Sequence, residues 1–181
     1  VNILYAVPVA KRYRAMEHET RLAADHGHQV HLVADFRPYW ETHEIDPRVT
    51  VHWLRSRELR APESAPVTWL LCRIPRAVLR RLARGPLNRP VGKVLYEWNR
   101  KIANPIEKRR KHRTAVLRHD YRHAAVMSVM EKHRIDWLVL GEPGAVDLIA
   151  EDVPALLERR PELRTTYSYE PFADQEVADV R

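Results

Sequence analysis

The chain has 181 residues, 45% hydrophobic and 30% charged, a globular composition that argues against general disorder. No apolar run approaches the ~20 residues that span a bilayer, the first residues lack the lead-in of a secretory signal, and the single cysteine, Cys72, excludes an internal disulfide or a multi-cysteine zinc site. The net charge of +7 is unevenly placed: Arg73–Arg122 holds 16 of the 31 Lys/Arg and 3 of the 24 Asp/Glu, so one strongly basic segment stands in an otherwise mildly acidic chain.

Asn2–Val7 (NILYAV) is a nearly continuous apolar run, the pattern of a strand buried on both faces of a parallel sheet. After a turn at Pro8, Tyr13–His26 reads as a helix with Met16, Thr20 and Ala23 on one stripe. Gly27 supplies the left-handed residue that stops it. HQVHLVA follows as a second strand, with Val30, Leu32 and Ala34 on one face. Phe36–Asp46 is loop-like, and Val49–Leu54 alternates as a third strand. Together these make a βαβ unit and a further strand, with a right-handed crossover expected.

Arg55–Pro66 is a loop, and Val67–Arg84 is helical with an interruption at Pro75. A break at Arg84–Pro90 precedes a short helix over Val91–Ile102. Ile106–His133 has no Pro or Gly, and Pro105 suits a first helical turn. A helix of about 28 residues, about 42 Å long, is predicted, with Ala115, Leu117, Tyr121, Ala124, Ala125, Met127 and Val129 at helical spacing. Asp136–Gly141 is a fourth strand and Ala145–Ala150 a short helix. Asp152 caps another helix, which ends before Pro161. Thr165–Glu170 is a fifth strand, and Pro171–Arg181 an acidic loop. The order predicts one α/β domain over 1–181: a Rossmann-like, open, mostly parallel sheet of about five strands, interrupted by a basic helical insert at about 65–133.

Ligands of such sheets gather beyond the carboxyl ends of the strands, here Pro8–Arg14, Asp35–Tyr39, Gly141–Gly144 and Tyr169–Phe172. The first loop, PVAKRYR, has no glycine, so no NAD or FAD cofactor is expected, and a P-loop is absent. Lys11, Arg12 and Arg14 at a helix N-terminus suit a phosphate, or else form a solvated basic turn. Glu142, in GEPG, would stand at the carboxyl edge as an acceptor for a hydroxyl, or the segment is a plain strand-to-helix turn. Tyr169 and Glu170, in YSYEPF, pair an aromatic with a carboxylate, a surface suited to sugar rings and hydroxyls, or the aromatic strand end packs on the helices, Tyr167 more readily than Tyr169.

Cys72 lies in an apolar stretch and reads as a buried, inert thiol. No metal site is expected from His26, His28 and His31, because the last two have opposite strand parity. His112, His119, His123 and His133 read as a solvated helix face. The strongest signal is the run in which Arg73, Arg76, Arg80, Arg81 and Arg84 alternate with Leu70, Leu71, Ile74, Val78, Leu79 and Leu82. It is an amphipathic basic helix of the kind that lies on an anionic bilayer, or one packed on the domain with a charged outer face. EKRRKHR (Glu107–Arg113) has no RNA-binding signature or helix-turn-helix spacing beside it, so nucleic acid is not the expected partner.

The segments NILYAVPVA, ETRLAADHGHQVHLVAD, IDPRVTVHWL, DWLVLGEPGAVDLIA and TTYSYEPF, in this order, resemble the acceptor-side N-terminal half of GT-B glycosyltransferases, particularly the glycosyltransferase 4-like family. The likeness covers residues 1–54 and 134–172 and leaves the insert unmatched. It implies transfer of sugar from a nucleotide-sugar donor, which is bound mainly by a second domain missing from this chain, to a sugar or lipid-linked acceptor. It also implies no cofactor, and a peripheral position on the cytoplasmic face of a membrane. Two departures stand out: Ala10–Tyr13 replaces the usual glycine pair of the first loop, and Tyr169 stands where the family often has histidine. No catalytic residue is therefore assigned. The alternative is a non-catalytic α/β module that docks on anionic lipid or nucleic acid through its basic insert.

Overall fold

The structure, a computed structural model, describes residues 1–9, 12–36, 38–43, 45–59, 66, 69–82 and 88–169. Lys11, Arg84, Glu170 and the Pro171–Arg181 stretch, named above, lie outside the described residues.

Asn2–Val7 (β1), Gln29–Asp35 (β2), Thr50–Leu54 (β3), Trp137–Leu140 (β4) and Arg164–Thr166 (β5) form one all-parallel sheet in the order β3-β2-β1-β4-β5. Register runs Ile3 to Val30 on one side and Ile3 to Trp137 on the other, so the central strand β1 is hydrogen-bonded along both edges. The alternation of a doubly covered strand follows. Ile3, Tyr5 and Val7 join Val30, Leu32 and Ala34 in one core layer. Leu4, Ala6 and Val33 join the opposite layer. Helix α1 (Tyr13–Asp25) covers the first layer with Met16, Thr20, Ala23 and Ala24, the stripe expected from spacing plus one residue. Gly27 sits at φ 78°, and His28 leads directly into β2.

The chain divides into two compact units, Val1–Arg57 with His119–Arg181, and Glu58–Arg118. The second unit contains a wide turn of helix at Trp69–Arg73, then α2 (Ile74–Leu82), α3 (Asn88–Trp98), a second wide turn at Asn99–Ala103 and the start of α4 (Asn104–Lys132). Each wide turn stands just before a proline, Pro75 or Pro105. Proline lacks the N–H that would reach the carbonyl four residues back, and a locally unwound turn absorbs that loss. At Pro75 the released carbonyl is that of Leu71, which accepts the Trp98 indole N–H at 3.2 Å. The proline interruption read from the sequence therefore becomes a contact between two helices.

Helix α4 has 29 residues, close to the expected length. Its buried positions are Val126, Val129 and Met130, however, and Leu117 and Tyr121 of the predicted stripe are exposed. Only its last turns pack in the second core layer, with Ala145, Leu148 and Ile149 of α5 (Pro143–Ile149) and Leu156 of α6 (Val153–Arg159). For that reason the unit boundary falls at Arg118, earlier than the predicted end of the insert near residue 133. Asp152 precedes α6 as expected, but its side chain caps nothing. Its carboxylate instead lies 2.7 Å from His123 Nε2, so His123 is paired rather than on a solvated face.

The fifth strand is shorter than Thr165–Glu170. After Thr166 the chain bends away from the sheet, and Tyr169 drops into the first core layer beside Trp137.

Candidate functional site

In the order β3-β2-β1-β4-β5 the chain reverses direction of travel between β1 and β4, so the crevice outside their carboxyl ends is where such a sheet places a ligand. Two segments meet there, the loop after β1 and the turn after β4. Glu142 is only 2% exposed, and its carboxylate accepts the backbone N–H of Val9. It ties the two segments together instead of capping its own helix. Arg12 donates to the Gly141 carbonyl at 2.9 Å and lies 3.7 Å from the Glu19 carboxylate. Burial raises the Glu19 pKa above the ordinary carboxylate range, while the Tyr169 N–H and the Arg12 charge pull the other way.

The tyrosines exchange their expected places. Tyr167 is 47% exposed, and the Arg12 guanidinium stands 5.6 Å from its ring centre, so Tyr167 is the aromatic at the crevice. Tyr169 is buried, with its ring 5.1 Å from that of Trp137. Its hydroxyl lies 2.8 Å from His26 Nδ1, at the helix-to-strand joint that feeds the amino end of β2. Its N–H reaches Glu19 at 3.4 Å. The structure thus brings Arg12, Glu142 and Tyr167 to the β1–β4 crevice and sets Tyr169 in the core. Arg14 is exposed and leans on Tyr13, 5.8 Å from its ring centre.

Gly141 is required by packing. A Cβ there would lie 2.8 Å from Met16 Sδ and 3.2 Å from Val7 Cγ2, both in buried side chains. The expected effect of Gly141→Ala is a loss of about 1–3 kcal/mol in denaturant unfolding, from overpacking. An unchanged midpoint would mean that this spot has room to spare.

A second aromatic group stands beyond β2 and β3, and spacing did not single it out. Trp40 packs edge-on to Trp53 at 5.6 Å and to Tyr13 at 6.3 Å, and Phe36 packs edge-on to Trp53 at 5.8 Å. Phe36 and Trp53 keep ring surface in solvent, and the Trp40 indole N–H is buried with no partner among the described residues. The available signal was the position of Phe36, directly after a strand. Next to it, Asp35 is fully buried and accepts the Ser56 N–H at 3.0 Å and Arg122 at 3.3 Å. A dinucleotide site uses an acidic side chain at this position for ribose, but here the carboxylate already has internal partners.

In the unit Glu58–Arg118, Trp69, Leu70, Leu71, Val78 and Leu82 are exposed, as are Arg73, Arg80 and Arg81. Arg76 is not one of this set. It is partly buried and donates to Asn99 at 2.6 Å, to Glu107 and to Asn104, so it holds the helices of the unit together, which corrects its placement among lipid-facing arginines. A cleft of about 740 Å³ in the same unit is lined by Arg73, Arg76, Arg110, Lys111, Arg118 and Glu107. Cys72 is fully buried, and burial pushes its thiol pKa up, as befits an inert side chain.

The histidines depart furthest from expectation. His31 and His52 do point the same way, because β2 and β3 pair in parallel with His31 opposite Thr50 and His52 opposite Val33. His133, just past the end of α4, closes the group, with its ring 4.2 Å from that of His31. It does not lie on a solvated face.

Searches against protein-family models, curated proteins and solved structures find no match to this chain.

Proposed function

We propose that the chain is the acceptor-side α/β domain of a sugar-transferring enzyme that works on acceptors at an anionic membrane surface. The observation that carries the membrane part is the joint exposure of Trp69, Leu70, Leu71, Val78 and Leu82 with Arg73, Arg80 and Arg81 in one helical stretch. A water-exposed helix that presents apolar side chains of this size gains by laying them into a headgroup layer, and the arginines then meet lipid phosphates. Among the described residues no helix is long and apolar enough to cross a membrane, so attachment by this route is interfacial. The transfer part rests on the resemblance of the strand–loop segments to GT-B enzymes and on the parallel sheet with its β1–β4 crevice. In this reading Arg12, Glu142 and Tyr167 shape the acceptor end of the crevice, and proximity to the donor's anomeric carbon supplies much of the rate.

Vesicle sedimentation tests the docking. Binding is expected to vesicles with anionic lipid and not to neutral ones, and to weaken with salt. Neutralising two charges by Arg80→Gln with Arg81→Gln should lower the partition coefficient about 30-fold, at about 1 kcal/mol per charge. Equal binding to neutral vesicles, or an unaffected double variant, overturns it. Turnover of a nucleotide-sugar panel, with a donor-binding domain supplied in the same polypeptide, tests the chemistry. No turnover by a folded protein across the panel removes the transferase reading. A second reading, a non-catalytic anion-binding module, is favoured by the cationic cleft lined by Arg73, Arg110, Lys111 and Arg118. Vesicle binding without any turnover would select it.

A further inference from the structure

We propose that His31, His52 and His133 form a binding site for a divalent transition-metal ion of the zinc class. The three come from separate parts of the fold: the middle of β2, the middle of β3 and the turn that follows α4. One ring nitrogen from each can be chosen so that all three lie within 4.8 Å of one another, and this is the only such group of histidine, cysteine or carboxylate side chains among the described residues. Zinc–imidazole bonds of about 2.0–2.1 Å in a tetrahedron set neighbouring nitrogens about 3.3–3.4 Å apart. His31 Nδ1 and His52 Nε2 already stand 3.3 Å apart. His133 lies beyond the last residue of α4 and is only partly buried, and its nitrogen, within 4.8 Å of the other two, would close to that spacing on binding.

Burial and the two neighbouring rings hold His31 down to about 4, and burial with His133 and Lys132 lowers His52. Whichever nitrogen of the His31–His52 pair carries the proton between them gives it up when a metal binds. An all-nitrogen set of three suits zinc, copper, nickel or cobalt rather than magnesium or calcium. His31 is buried, but His52 and His133 are partly open, which leaves the fourth coordination position to water. Lys132 works against a dication here, so binding weaker than at a thiolate site is expected. The histidines of β2 and β3 sit within the strands, not at the carboxyl ends that line the β1–β4 crevice. A metal here would clamp the end of α4 to the outer strands rather than act on substrate in that crevice.

The test uses the untagged full chain, freed of metal by a chelator and titrated with cobalt(II). The expected result is a visible absorption band of a four-coordinate nitrogen-rich site that saturates at one equivalent, disappears on adding zinc, and accompanies a rise in the thermal midpoint. His52→Gln with His133→Gln should weaken cobalt binding by at least about 100-fold and keep the far-ultraviolet circular dichroism of the parent. His112→Gln with His119→Gln should leave the titration unchanged. Absence of the band in the parent protein overturns the proposal. So does an equal titration by the folded His52→Gln/His133→Gln variant.

Discussion

Arg122→Met is expected to lower the unfolding free energy by about 3 kcal/mol. The reason is the carboxylate it leaves behind. Asp35 is fully buried at the carboxyl end of β2, and Arg122 is its only cationic partner among the described residues. Arg122 also donates to the Ser56 hydroxyl at 3.1 Å, while the Ser56 N–H donates to Asp35. The three side chains thus join the ends of β2 and β3 to α4. Removing one member of a buried ion pair typically costs about 3–5 kcal/mol, because the other charge stays in a medium that solvates it poorly. The lower end applies here, since the Ser56 N–H remains. Adding Asp35→Asn to Arg122→Met should recover part of the loss, since it takes away the stranded charge. Denaturant unfolding of the four proteins in this cycle gives the coupling. If Arg122→Met alone lies within about 0.5 kcal/mol of the parent, the size of a neutral surface change, the pair does not support the fold as described.

Tyr169→Ala should cost about 3–4 kcal/mol, the range for emptying a buried aromatic position. Tyr169→Phe should cost about 1 kcal/mol, the size of the lost hydrogen bond to His26. The contrast decides between two roles for this residue. As a core residue, it makes the alanine change severe and the phenylalanine change mild. As a sugar platform at a strand exit, it would show the opposite pattern: near-normal stability in both variants and weakened acceptor binding. Tyr167→Ala serves as the companion, because Tyr167 is the exposed ring beside Arg12. It should leave stability within about 0.5 kcal/mol and carry any effect on acceptor binding.

Which parts were legible follows from the range of the forces involved. Asn2–Val7, the Met16–Thr20–Ala23 stripe, the glycine stop at Gly27 and the strand after it are local patterns, and all appear as read. The end of β5 differs because Thr165–Glu170 is rich in β-branched and aromatic residues, yet Tyr169 buries its ring against Trp137 instead of continuing the edge strand. His133 was misjudged for a related reason. Its neighbours in sequence are charged, and only the packing of α4 on the sheet reveals that β2 and β3 lie beside it. Arg76 looked like its fellow arginines because helical spacing records direction, not the presence of Asn99 and Glu107 on other helical segments of the unit.

By itself the sequence determined the α/β class, the five strands and their order along the chain, and the concentration of basic charge in one segment. These depend on backbone propensity, periodicity and composition, which are properties of neighbours in the chain. The tertiary structure alone decided which carboxylates, tyrosines and histidines have partners, as with Asp35 on Arg122, Tyr169 on His26 and His31 on His133. Each of these pairs joins residues far apart in sequence, and a side chain's role there is set by burial and by the group placed opposite it, neither of which local pattern encodes.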